Sequence, residues 1–73
     1  MAQEDSASIV RQIGETAGAI WRALDKNGPL TLAKLVKIVG EPRDTVMQGI
    51  GWLAREGKVS IVEEGRSRVI SLV

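Results

Sequence analysis

Apolar residues recur at helical spacing along the first third of the chain. Ile9, Val10, Ile13, Ala17, Ile20, Trp21 and Leu24 form one stripe, while Arg11, Gln12, Glu15, Arg22 and Lys26 occupy the other side. A core-facing helix is expected from about Ser6, with Ser6 or Ser8 as its cap. Asn27-Gly28-Pro29 is the expected stop, a left-handed glycine followed by a residue that cannot continue a helix. Gly14 and Gly18 interrupt the edge of the stripe, and each lowers helix stability by up to about 1 kcal/mol against alanine. Close packing of another element is the expected reason for keeping them. Residues 1–6 offer nothing to bury and are expected to be flexible, leaving one domain over residues 7–73.

The pattern then shortens. Residues 29–31 are expected to form a brief extended link, able to pair with the last strand. Thr31 caps a short helix whose Leu32, Leu35, Val36 and Val39 share a face, and Gly40 supplies its left-handed stop. Pro42 stands at the opening of the next helix, where a missing N–H leaves no partner unsatisfied. Val46, Met47, Ile50, Leu53 and Ala54 form the apolar side of that helix, and Gly57 ends it. Two such helices joined by a short glycine-bearing turn read as a helix-turn-helix. After Gly57 the period changes from helical to alternating. Residues 58–62 and 68–73 are expected strands flanking a turn at Glu63-Glu64-Gly65-Arg66-Ser67. A lone hairpin is unstable in water, so its apolar face must rest on the helices.

The order α, β, α, α, β, β defines an α+β winged helix-turn-helix, three helices plus a C-terminal β-hairpin wing. Through IWRALDKNGPLTLAKLVK, GWLAREGKV and the terminal hairpin, from about Gly18 to Leu72, the chain resembles a family of short stand-alone winged helix-turn-helix proteins of bacteria and archaea. That family has no assigned molecular function. The resemblance implies this fold and a nucleic-acid-binding character, with no ligand and no catalytic residues.

Composition narrows the chemistry. A chain of 73 residues buries only roughly 60% of its unfolded surface, so the core is small. It is aliphatic, with two Trp and no Phe or Tyr. The absence of Cys and His removes disulfides, thiolate metal sites and the commonest metal ligand and general base. Glu41 with Asp44 and Glu63 with Glu64 read as solvent-facing helix-start and turn positions. No enzyme activity, metal or cofactor is therefore expected. No apolar run is long enough to span a bilayer, and the acidic N-terminus lacks the features of a signal peptide. A cytoplasmic protein without membrane contact is expected, and no small-molecule ligand is evident.

Charge speaks against tight duplex binding: ten basic against nine acidic residues leave a net +1. Only residues 27–58 lean positive, with five basic and three acidic groups. In winged helices the second helix of the turn commonly enters the major groove while the wing touches the backbone. Arg43, Thr45, Gln48 and Arg55 are the groove-facing candidates, Gln48 offering a donor and an acceptor to adenine and the arginines reaching guanine or phosphate. Lys34, Lys37, Arg66 and Arg68 are the phosphate candidates. Each of these cations reads equally well as a solvated surface group, and Asp44, Glu56, Glu63 and Glu64 place negative charge beside them. Trp21 reads as core. Trp52 lies off the apolar stripe beside Gly49 and Gly51. It either covers the hairpin at Ile61 or Ile70, or forms a partner interface with Gly49, Gly51 and Ile38. The expected function is thus modest binding of double-stranded DNA by a transcription-associated or nucleoid-type factor. The alternative is a protein-interaction or homodimerisation module on the same fold.

Overall fold

A computed structural model describes residues 2–73 in backbone and residues 6–73 in side chain. The order is α1 (Ala2–Asn27), β1 (Leu30–Thr31), α2 (Leu32–Val39), α3 (Arg43–Arg55), β2 (Val59–Glu64) and β3 (Ser67–Leu72). This is the expected winged helix-turn-helix, with the 29–31 link supplying a genuine edge strand. β3 is the centre of an antiparallel sheet ordered β1-β3-β2, pairing Leu30 with Ile70 on one side and Ile61 with Ile70 on the other.

The helix ends follow from local chemistry. Asn27 Nδ2 donates to the Ala23 carbonyl at 2.8 Å, and the Gly28 N–H continues the last turn of α1 to Leu24. Thr31 Oγ1 accepts from the Lys34 N–H at 3.3 Å, capping α2. Gly57 closes α3 at φ 72°, with its N–H on Ala54 and that of Lys58 on Leu53. These are the two bonds of a Schellman stop. The hairpin turn is shorter than expected. Glu64 pairs directly with Ser67, leaving Gly65-Arg66 as a two-residue turn with Gly65 at φ 61°. Glycine first suits the type II′ geometry that matches strand twist.

One core joins every element. Ile20 and Leu24 of α1, Leu35 of α2, Val46 of α3 and Ile70 of β3 are its largest fully buried side chains. Only Val59 is buried in β2, so the hairpin beyond its base stands out from the body as a wing.

Two expectations about α1 change, its cap and the inward course of its stripe. The helix begins at Ala2, so neither Ser6 nor Ser8 caps it, and residues 2–6 lie within it. Met1 lies outside the described residues. The apolar stripe also does not run uniformly inward. Ile9 and Val10 are 48% and 51% exposed, and the first buried side chain among the described residues of α1 is Thr16. Twenty-six helical residues span about 39 Å, whereas the molecule measures 41 Å along one axis and 21 and 20 Å along the others. The N-terminal turns of α1 therefore overhang a body that is too short to cover them. Trp21, read as core, is 39% exposed. Met47 and Ala54 of α3 are exposed as well.

Candidate nucleic-acid interface

The outer face of α3 is set by subtraction. Val46, Gly49, Ile50 and Leu53 are buried, and their 3.6-residue spacing leaves Asp44, Gln48, Gly51 and Arg55 on the opposite side, where all four are exposed. Gln48 and Arg55 thus stand as the sequence suggests. Thr45 does not stand with them: it is half-buried, a quarter-turn from that outward line. Its N–H donates to Asp44 Oδ1 at 2.9 Å, tying the Asp44 carboxylate to the helix start.

Arg43, in the first turn of α3, faces the wing. It lines a cleft of about 360 Å³ together with Thr31, Leu32 and Ala33 at the start of α2 and Glu63, Gly65, Arg66, Ser67 and Arg68 of the hairpin. Three arginines, one from α3 and two from the hairpin, therefore meet around one hollow. A single carboxylate opposes them, and Arg68 Nε donates to Glu63 Oε2 at 3.2 Å across the strand pair. Thr31 and Ser67 also line the cleft, and sequence reasoning did not place them there. Their signals were a helix-cap threonine and a serine directly after a two-residue turn. Lys34 and Lys37 are exposed on α2 but do not line this cleft. Arg55, near the far end of α3, stands about 18 Å from Arg43 along the helix axis.

The residues proposed for a partner interface separate. Gly49 is buried in the crossing of α1 and α3: a Cβ there would lie 2.7 Å from Ile20 Cδ1 and 3.3 Å from the Ala17 nitrogen. Gly49 is thus a packing residue, not an interface residue. A Cβ on Gly51 would meet nothing within 4 Å. Trp52 is 46% exposed and does not cover the hairpin, since Ile61 and Ile70 share their groove with Met47 and Ile50 instead. It lines a different groove with Trp21 of α1. Ile38 is half exposed on α2 and lines neither groove.

Residues 4–72 match a family profile described as a winged helix-turn-helix domain, DUF2582. The chain belongs to this family. An uncharacterised protein of Methanocaldococcus jannaschii is 39% identical over 64 residues, 84% of this chain and 90% of that protein. Among solved structures, the same winged-helix architecture occurs in BpsR of Bordetella bronchiseptica, described as a protein whose DNA binding is regulated by 6-hydroxynicotinic acid. The likeness has a TM-score of 0.75 at 20% sequence identity, covering 80% of this chain. The chain corresponds to 46% of that regulator, less than half its length, so the likeness is one of fold. Among the described residues no helix is long and apolar enough to cross a membrane.

Proposed function

We propose that the protein binds double-stranded DNA with modest affinity, the outer face of α3 entering the major groove and the wing lying against the backbone. The observation that carries this reading is the convergence of Arg43, Arg66 and Arg68 on the cleft between α3 and the wing. Guanidinium groups suit phosphate because they offer several donors in one plane. Gln48 and Arg55 are the base-edge candidates, and Lys34 and Lys37 extend the phosphate contacts along α2. Thr45, half-buried, can reach a base or phosphate only at the margin of the interface. The winged-helix architecture shared with a DNA-binding regulator supports the reading, as does family membership. It describes a transcription-associated or nucleoid-type factor of the cytoplasm that performs no catalytic step.

The near-neutral net charge limits affinity, and the reading predicts a steep salt dependence. Five phosphate contacts give a log–log slope of about −4 to −5. Fluorescence anisotropy with a mixed-sequence duplex tests it. Arg43→Ala combined with Lys37→Ala should weaken binding about tenfold and flatten the slope by about 2. Unchanged affinity and slope in that variant would contradict the assignment.

A further inference from the structure

We infer that the groove between α1 and the C-terminal half of α3 receives the overhanging N-terminal turns of α1 from a second copy of this chain, each copy giving and receiving one arm. The groove is floored by Gly14, Ala17 and Gly18 and walled by Trp21 and Trp52. Arg22, Glu56 and Lys58 rim it, an apolar centre with a charged edge. Among the described residues nothing fills it. A Cβ on Gly14 would meet nothing within 4 Å, and one on Gly18 would meet only the mobile tip of Arg22 at 3.4 Å. The expected packing partner for these two glycines is therefore absent among the described residues of the monomer.

The missing partner has a counterpart on the same helix. Ile9, Val10 and Ile13 continue the core-facing stripe past the end of the body, and Ile9 and Val10 are half exposed. Groove and arm lie on adjoining stretches of α1, so one two-fold axis near Gly14 satisfies both in both copies, which is the self-complementarity an isologous dimer requires. With the helices antiparallel about that axis, Val10 of each copy comes opposite Gly18 of the other, and Ala7 opposite Trp21. Each large side chain then meets a small one, and the arm's apolar stripe lies between α1 and Trp52 of its partner.

The surface area agrees. The chain exposes 5126 Å², whereas a compact monomer of 7.9 kDa exposes about 4,400 Å². The excess of about 700 Å² comes from the overhanging arm and the protruding wing together, so the arm supplies only part of the roughly 800 Å² that each partner buries in a standard interface and the groove supplies the rest. Trp52 lies on the α1 flank of α3, so Gln48, Arg55 and the wing stay uncovered.

Sedimentation of the full chain without DNA tests this, and its failure would leave the DNA reading untouched. The wild type should sediment at twice the 7.9 kDa monomer mass at micromolar concentration. Its tryptophan emission should move to the blue as concentration rises and Trp21 and Trp52 lose water. Val10→Asp puts a charge on the arm, and Gly18→Leu fills the groove with a better helix former. Each should weaken association at least about tenfold with the helical circular dichroism retained. If either loses that signal, the other decides. A wild type that stays monomeric would overturn the inference. So would folded variants that dimerise as well as the wild type, since association then runs through another surface, such as Ile61 and Val62 on the β2 edge or Ile38.

Discussion

The two flanks of α3 are built on opposite principles. Toward the wing, Arg43 meets Arg66, Arg68 and Glu63 around an open cleft, and its neighbours are long, charged and exposed. Toward α1, Gly49 brings two helices into backbone contact, and Trp52 then opens onto a groove of glycines and a second indole. One flank keeps its polar groups in water, where a phosphate can replace that water. The other removes side chains so that helices approach. A 13-residue helix thereby packs closely against its neighbour on one side and faces an open, charged cleft on the other, with Gln48 and Arg55 between them.

The largest way to break this division is to close the gap at Gly49. Gly49→Val places branched carbon where a Cβ alone would lie 2.7 Å from the buried Ile20 side chain and 3.3 Å from the Ala17 backbone. Overpacking of this kind destabilises by about 1–3 kcal/mol. For a domain of this size that lowers the midpoint by roughly 4–8 °C for each kcal/mol, which thermal denaturation followed by circular dichroism would read. Gly51→Ala, two residues on, should do the reverse. Its Cβ meets nothing within 4 Å, so the gain in helix propensity, up to about 1 kcal/mol, should appear as a higher midpoint. A fall for both variants would mean that α3 packs differently.

The smallest effect belongs to the wing. Glu63→Gln removes a cross-strand partner of Arg68, but both side chains are well exposed, 72% and 47%. Such pairs contribute about 0–1 kcal/mol, so stability should barely move. Duplex affinity should nevertheless rise, because the one carboxylate in the arginine cleft is gone. A fall in affinity would show that Glu63 orients Arg68 instead of competing with phosphate.

Features decided within a few residues were legible from sequence. Gly28, Gly40 and Gly57 stop their helices by local backbone geometry, Thr31 caps by reaching its own first turn, and the alternation after Lys58 declares the hairpin. Features decided by the reach of another element were not. Periodicity placed Ile9 and Val10 on the face of Ile20, but nothing in their spacing tells how far α2, α3 and the sheet extend along that face. Gly14, Gly18, Gly49 and Gly51 look alike in sequence, yet only Gly49 faces a crossing helix. In sequence Trp21 reads as core, and Trp52 reads either as a cover for the hairpin or as an interface residue. Their common groove emerges only once α1 and α3 are laid side by side. Among the candidate contacts, Arg43, Arg66 and Arg68 could be named from the fold order. That they share one cleft while Lys34, Lys37 and Arg55 lie apart depended on the angle of the wing.

The most direct measurement is an amide NMR titration of the labelled protein with a mixed-sequence DNA duplex, at low salt and again at higher salt. Salt-sensitive shifts should gather at Arg43, Gln48, Arg66 and Arg68, with smaller ones at Lys34 and Lys37. Spectra that do not move at these positions at low salt would contradict DNA binding through α3 and the wing.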